Sequence, residues 1–143
     1  MSDTERDPAA VREYERALAE VAEHRVLDEA EDVIARAWIA ELDAMRHAGL
    51  RLAMVTRVAE RVARESLHQA QRHGPPAELP RAHARFAATE VRTAERLGHA
   101  NALLTSVNAE LEAACRAALA RARRAEQDLH RLRSTWTAAY GPQ

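Results

Sequence analysis

From Leu97 onward, apolar residues recur every seven positions, at Leu97, Leu104, Leu111, Ala118, Ala125 and Leu132. A second set, three or four residues on, supplies Ala100, Val107, Ala114, Ala122, Leu129 and Trp136. A period of 3.5 residues held this long, with no proline or glycine between Gly98 and Gly141, predicts one long helix with a narrow apolar seam. Such a helix needs a partner of similar length to cover its stripe. The first half of the chain offers one. Its stripe runs Val11, Tyr14, Leu18, Val21 and then, after a slip, Leu27, Ile34, Trp38, Met45, Ala48, Leu52, Val55, Ala59 and Val62, with Glu41 at a seam position.

Punctuation sets the boundaries. Asp7-Pro8 reads as a helix start, with Asp7 able to accept an orphan N–H and Pro8 preset for the first helical position. Gly74-Pro75-Pro76 is the one strong break, where Gly74 can take a left-handed cap conformation and the prolines forbid continuation. The organisation expected is a single domain: a tail over 1–7, a first helix over 8–73, a turn over 74–79, a second helix over 80–139 and a tail over 140–143. Helices of this length extend roughly 100 and 90 Å at about 1.5 Å per residue, so the fold class is all-α, an elongated antiparallel two-helix coiled-coil hairpin. Folding about residue 76 pairs positions whose numbers add to about 152, which brings Ile34 to Ala118, Trp38 to Ala114 and Val55 to Leu97.

Composition agrees with long helices. Alanine, arginine, glutamate and leucine dominate the 143 residues, aromatics are 3%, and glycine and proline together are nine. All 21 basic residues are arginine, which points to a GC-rich, bacterial source. The formal net charge of −1 is too balanced for nucleic-acid binding as a main activity. The charge is nevertheless divided. Residues 1–43 hold 13 acids and 5 arginines, and residues 44–100 hold 5 acids and 10 arginines, so an acidic stretch is followed by a basic one. A single cysteine, an N-terminus without a signal-peptide pattern and no long apolar run predict a cytoplasmic protein that is not inserted in a membrane.

Candidate chemistry is sparse. Glu65 and His68 have the Glu-x-x-His spacing of helical di-iron proteins, but a second copy is missing. Cys115 reads as a small half-buried thiol, and Ser66, Ser106 and Ser134 lack an adjacent base. No catalytic residue, cofactor or metal is expected. The candidates for partner contact are Tyr14 and Trp136, which fall toward the terminal end as an aromatic docking cluster, together with Trp38, Arg123 and Arg124. The arginines read first as a solvated face complementing the acids of the first helix.

The segment Leu111 to Leu132, with Leu119, the run Ala122-Arg123-x-x-Glu126, and then Leu129 and Leu132, is similar to the distal second helix of the YscO proteins of type III secretion, the counterparts of flagellar FliJ. Trp38-Ile-Ala-Glu41 also resembles the tryptophan with acidic residues in their first helix. The residue-level likeness covers about 20 positions, while the hairpin pattern covers most of the chain. The resemblance implies an ATPase-associated central stalk for protein transport. Such a stalk enters the pore of a hexameric secretion ATPase, bridges to the export gate and contacts substrate chaperones at an inner-membrane secretion complex. Competing expectations are a helical export chaperone or assembly scaffold, for which a homo-oligomer also fits, and a compact four-helix bundle. The bundle would break at Gly49 and Gly98 into helices 8–48, 50–73, 80–97 and 99–140 around a metal site with Glu65 and His68.

Overall fold

The computed structural model describes residues 6–141; the outer parts of the two expected tails, 1–5 and 142–143, lie outside the described residues. Two helices account for nearly all of it: α1, Pro8–His73, and α2, Leu79–Tyr140, with a 3₁₀ turn at Pro76–Glu78 between them. The chain is all-α, and the two helices pack antiparallel as a hairpin. Asp7 caps α1 as its sequence predicts: its carboxylate accepts from the Ala9 amide at 3.0 Å and its carbonyl from Val11 at 3.1 Å. At the other end, Gly74 donates to Ala70 at 3.1 Å without left-handed geometry, since no described residue has a positive φ. A Cβ at Gly74 would fall 2.7 Å from the Ala70 carbonyl, which is why glycine ends this helix.

Both helices run unbroken through Gly49 and Gly98, which overturns the compact four-helix arrangement. The two glycines differ in kind. Gly49 is buried, and a Cβ there would lie 3.1 Å from a methyl of Leu104, so its bare backbone lets α2 approach. Gly98 is exposed with nothing within 4 Å of an added Cβ, so it has only the helix-propensity cost of glycine. Gly98→Ala should therefore stabilise the protein by about 1 kcal/mol, read from the urea midpoint at unchanged slope.

The packing divides into two units. One joins the residues up to Ile39 with those from Glu112 onward; the other is Ala40–Leu111. In the second unit the buried positions are Leu42, Thr56 and Leu67 from α1, and Thr93, Ala100 and Val107 from α2, with Gly49 beneath Leu104. Leu42, Gly49, Thr56 and, half-buried, Ala63 and Ala70 repeat every seven residues and form the inner line of α1. The Thr56 hydroxyl donates to the Leu52 carbonyl at 2.7 Å, so this buried polar group is satisfied inside its own helix.

This seam agrees with part of the expected one and corrects the rest. The register holds in both units, since Gly49 against Leu104, Arg124 against Asp28 and His24 against Asp128 all have numbers adding to about 152. Along α2 from Leu97 to Ala114 the expected face is the one that packs, with Ala100 and Val107 buried and Leu97, Leu104, Leu111 and Ala114 half-buried, but the face of α1 between Leu27 and Val62 is turned. Leu27, Ile34, Val55 and Val62 are exposed, Ile34 by 70%, and Ala118 and Ala125 are exposed as well. Leu42 replaces the anomalous Glu41 in the core. The physical reason is size. Glycine, alanine and threonine on the inner line let the backbones approach, whereas a seam of Ile34, Trp38 and Leu52 would hold them apart.

Candidate functional site

In the terminal unit the inner line of α2 keeps a strict period of seven from Ala114 and so passes through Arg121, Asp128 and Thr135. It does not drift to Ala122, Leu129 and Trp136 as the hydrophobic pattern predicts. Charged side chains at core positions require partners, and α1 supplies them. Arg121 Nε donates to Asp32 at 2.7 Å, with the Arg121 side chain only 13% exposed. Arg124 donates to Asp28, and Arg131 to Glu20, with Glu13 at 3.7 Å from the same guanidinium. His24 Nδ1 lies 3.1 Å from the Asp128 carboxylate. Among the described residues, every ion pair between the two helices lies in this unit.

The ladder leaves an electrostatic signature. The Arg131 guanidinium, through its hydrogen bond and then its charge, holds the Glu20 carboxyl below its ordinary value of 4.5. The carboxylates of Asp28 and Glu20 in turn raise Arg124 and Arg131 above the usual arginine value. A carboxyl depressed in the folded state contributes stability that is fully present above 4.5 and lost as pH falls through the lower folded value. Thermal unfolding followed from pH 7 to pH 3 should therefore show a decline below about pH 4.5 that is shallower in Glu20→Gln than in the native chain.

Beyond the ladder, the terminal unit gathers aromatic rings. Tyr14 meets Tyr140 edge to face with centroids 5.7 Å apart, Trp136 lies 6.2 Å from Tyr140, and the Arg6 guanidinium sits 5.1 Å over the Tyr140 ring. Trp136 is 50% exposed because the seam takes Thr135 and Ala139 on either side of it. Tyr14, Leu132, Arg133, Trp136 and Thr137 line a shallow groove beside this cluster. Its aromatic floor and arginine rim suit an apolar side chain with a carboxylate next to it.

The five sequence candidates do not form one site. Tyr14 and Trp136 meet within the cluster. Trp38 is exposed on α1, about 36 Å along that helix from Tyr14 at the usual rise. Arg124 is held by Asp28, whereas Arg123 is exposed and has no ion pair among the described residues. Two members of the cluster, Arg6 and Tyr140, were not expected. Tyr140 follows Trp136 by four residues, a spacing that stacks side chains on one helix face and was the available signal. Cys115 is exposed rather than half-buried, because Ala114 takes the inward position. Among the described residues no group of three or more His, Cys, Asp or Glu is placed to hold a metal ion, and Glu65 and His68 are both exposed. No helix among them is long and apolar enough to cross a membrane.

Comparison with models of known families, with curated proteins and with solved structures gives no match.

Proposed function

We propose that this chain is a non-enzymatic docking protein acting as the central stalk of a type III or flagellar-type secretion apparatus in the cytoplasm. In that role it links a hexameric export ATPase to the export gate and contacts chaperones. The observation that carries the docking role is the aromatic cluster of the terminal unit, where a half-exposed Trp136 and Tyr14 frame a groove beside Arg133. A surface tryptophan next to an arginine is the composition of an interface hot spot. The assignment to secretion rests on the likeness of Leu111–Leu132 and on the hairpin of two long helices.

The test is capture of proteins encoded beside this gene, using the native chain and Trp136→Ala as baits. Recovery of a hexameric ATPase by the native chain, with affinity weakened roughly 30-fold by the substitution, supports the stalk; that factor corresponds to a hot spot of about 2 kcal/mol. Recovery of a secreted protein alone would replace it with an export-chaperone role. That second reading is favoured by the exposed aliphatic residues of α1.

A further inference from the structure

A shallow groove follows one side of the seam in the second unit, in two stretches that share Ala63 and Thr89. Its two walls differ in chemistry. The α1 wall is apolar: Ala59 and Val62 line it, Val62 is 62% exposed, and exposed Val55 precedes it by one heptad on the same face. The α2 wall is cationic, with Arg85, Arg92 and Arg96 spaced by seven and four residues along one face. Half-buried Phe86 and buried Thr93 lie between the walls.

The hairpin does not neutralise these guanidiniums itself. The paired arginines of this unit, Arg46, Arg57 and Arg64, all belong to α1, and Arg85, Arg92 and Arg96 have no ion pair among the described residues. Glu78 is the one acid among the described residues of the groove, and it stands at the turn end. Half-buried Glu60 is engaged by Arg57 and Arg64. Three like charges held within about 17 Å of helix create a local field that attracts carboxylates.

We infer that this groove receives a third helix, supplied by a partner protein, whose apolar stripe rests on Ala59 and Val62 and whose flanking carboxylates meet Arg85, Arg92 and Arg96. The apolar wall and the charge complementarity together fix the choice. A helix laid along the groove turns aliphatic side chains to one wall and an acidic flank to the other, as amphipathic segments do in helical grooves. A nucleic acid would satisfy the arginines with its phosphates but leave Val55 and Val62 bare. From Ala82 to Arg96 the groove extends about 21 Å, so a segment of roughly 15 residues covers it. It shares no residue with the aromatic cluster, and the inference stands apart from the stalk role.

Fluorescence anisotropy with designed peptides tests it. The probe is a labelled helical peptide of about 18 residues, built from alanine, leucine and glutamate, with leucines along one face and glutamates on one flank of it. The control has the same composition in scrambled order. The full chain should bind the probe about tenfold more tightly than the control. Reversing two charges of the α2 wall, Arg92→Glu with Arg96→Glu, should weaken binding about tenfold and make the chain prefer a probe carrying arginine in place of glutamate. Val62→Asp, at an exposed position, should weaken binding as well, and circular dichroism should show native helicity in both variants. A probe Kd above about 1 mM, equal binding of probe and control, or indifference to the reversed charges would each overturn the inference. So would tighter binding of a single-stranded oligonucleotide than of the probe. Trp136→Ala should leave probe binding unchanged, so loss of probe binding with capture through Trp136 intact rejects this groove alone.

Discussion

Leu42→Ala should destabilise the protein by about 2–5 kcal/mol, while Ile34→Ala should change stability by no more than about 0.5 kcal/mol. By hydrophobicity alone the order would be reversed, because Ile34 sits on the regular stripe and Leu42 follows an acid. Leu42 is 2% exposed and packs on the inner line between α1 and α2, so truncation removes its transfer energy and leaves a cavity that two rigid helices cannot close. Ile34 has little to lose within its own chain. Urea unfolding of both variants reads the difference directly.

Gly49→Val is the second large effect, expected to cost about 1–3 kcal/mol or more. A Cβ at this position already stands 3.1 and 3.2 Å from the side chain of Leu104, and 3.4 Å from Leu103. Two further methyl groups would have to push α2 outward and open the layers around Val107 and Ala100. Replacing Leu104 by alanine in the same chain should restore part of the loss, since it vacates the space that the valine needs, and such coupling is expected only for groups in contact. Gly98→Ala, with open space at its Cβ, moves stability the other way, so the two glycines separate packing from propensity.

Much of the architecture can be read from residue order. Asp7-Pro8 and Gly74-Pro75-Pro76 are local signals whose meaning tertiary packing does not alter, and near-equal lengths around one break dictate the antiparallel register. The facing of α1 could not be read the same way. A search for apolar period seven finds Leu27, Ile34, Val55 and Val62, but the inner line of Leu42, Gly49, Thr56 and Ala63 is chosen by how closely backbones can approach, a property that hydropathy does not measure. Leu42 beside Glu41 was the one visible hint.

The polar core of the terminal unit was hidden for a related reason. Arg121 and Asp128 look like surface residues until the register sets Asp32 and His24 opposite them. Their placement therefore follows from pairing between the helices rather than from either helix alone. The aromatic cluster was half visible: Tyr14 and Trp136 stand out by type, while Tyr140 lay in the expected tail and Arg6 just before the expected helix start.

The arrangement described here has small and charged residues between the helices and the large aliphatic residues of α1 outside. Its most direct test is which cysteine pairs close within one chain. In a Cys115→Ser background, Gly49→Cys with Leu104→Cys should form an intramolecular disulfide rapidly on mild oxidation, since the Cβ of one already touches the side chain of the other. Ile34→Cys with Ala118→Cys should form one far more slowly. Faster closure of the 34 and 118 pair would place the aliphatic stripe back in the seam and contradict the account.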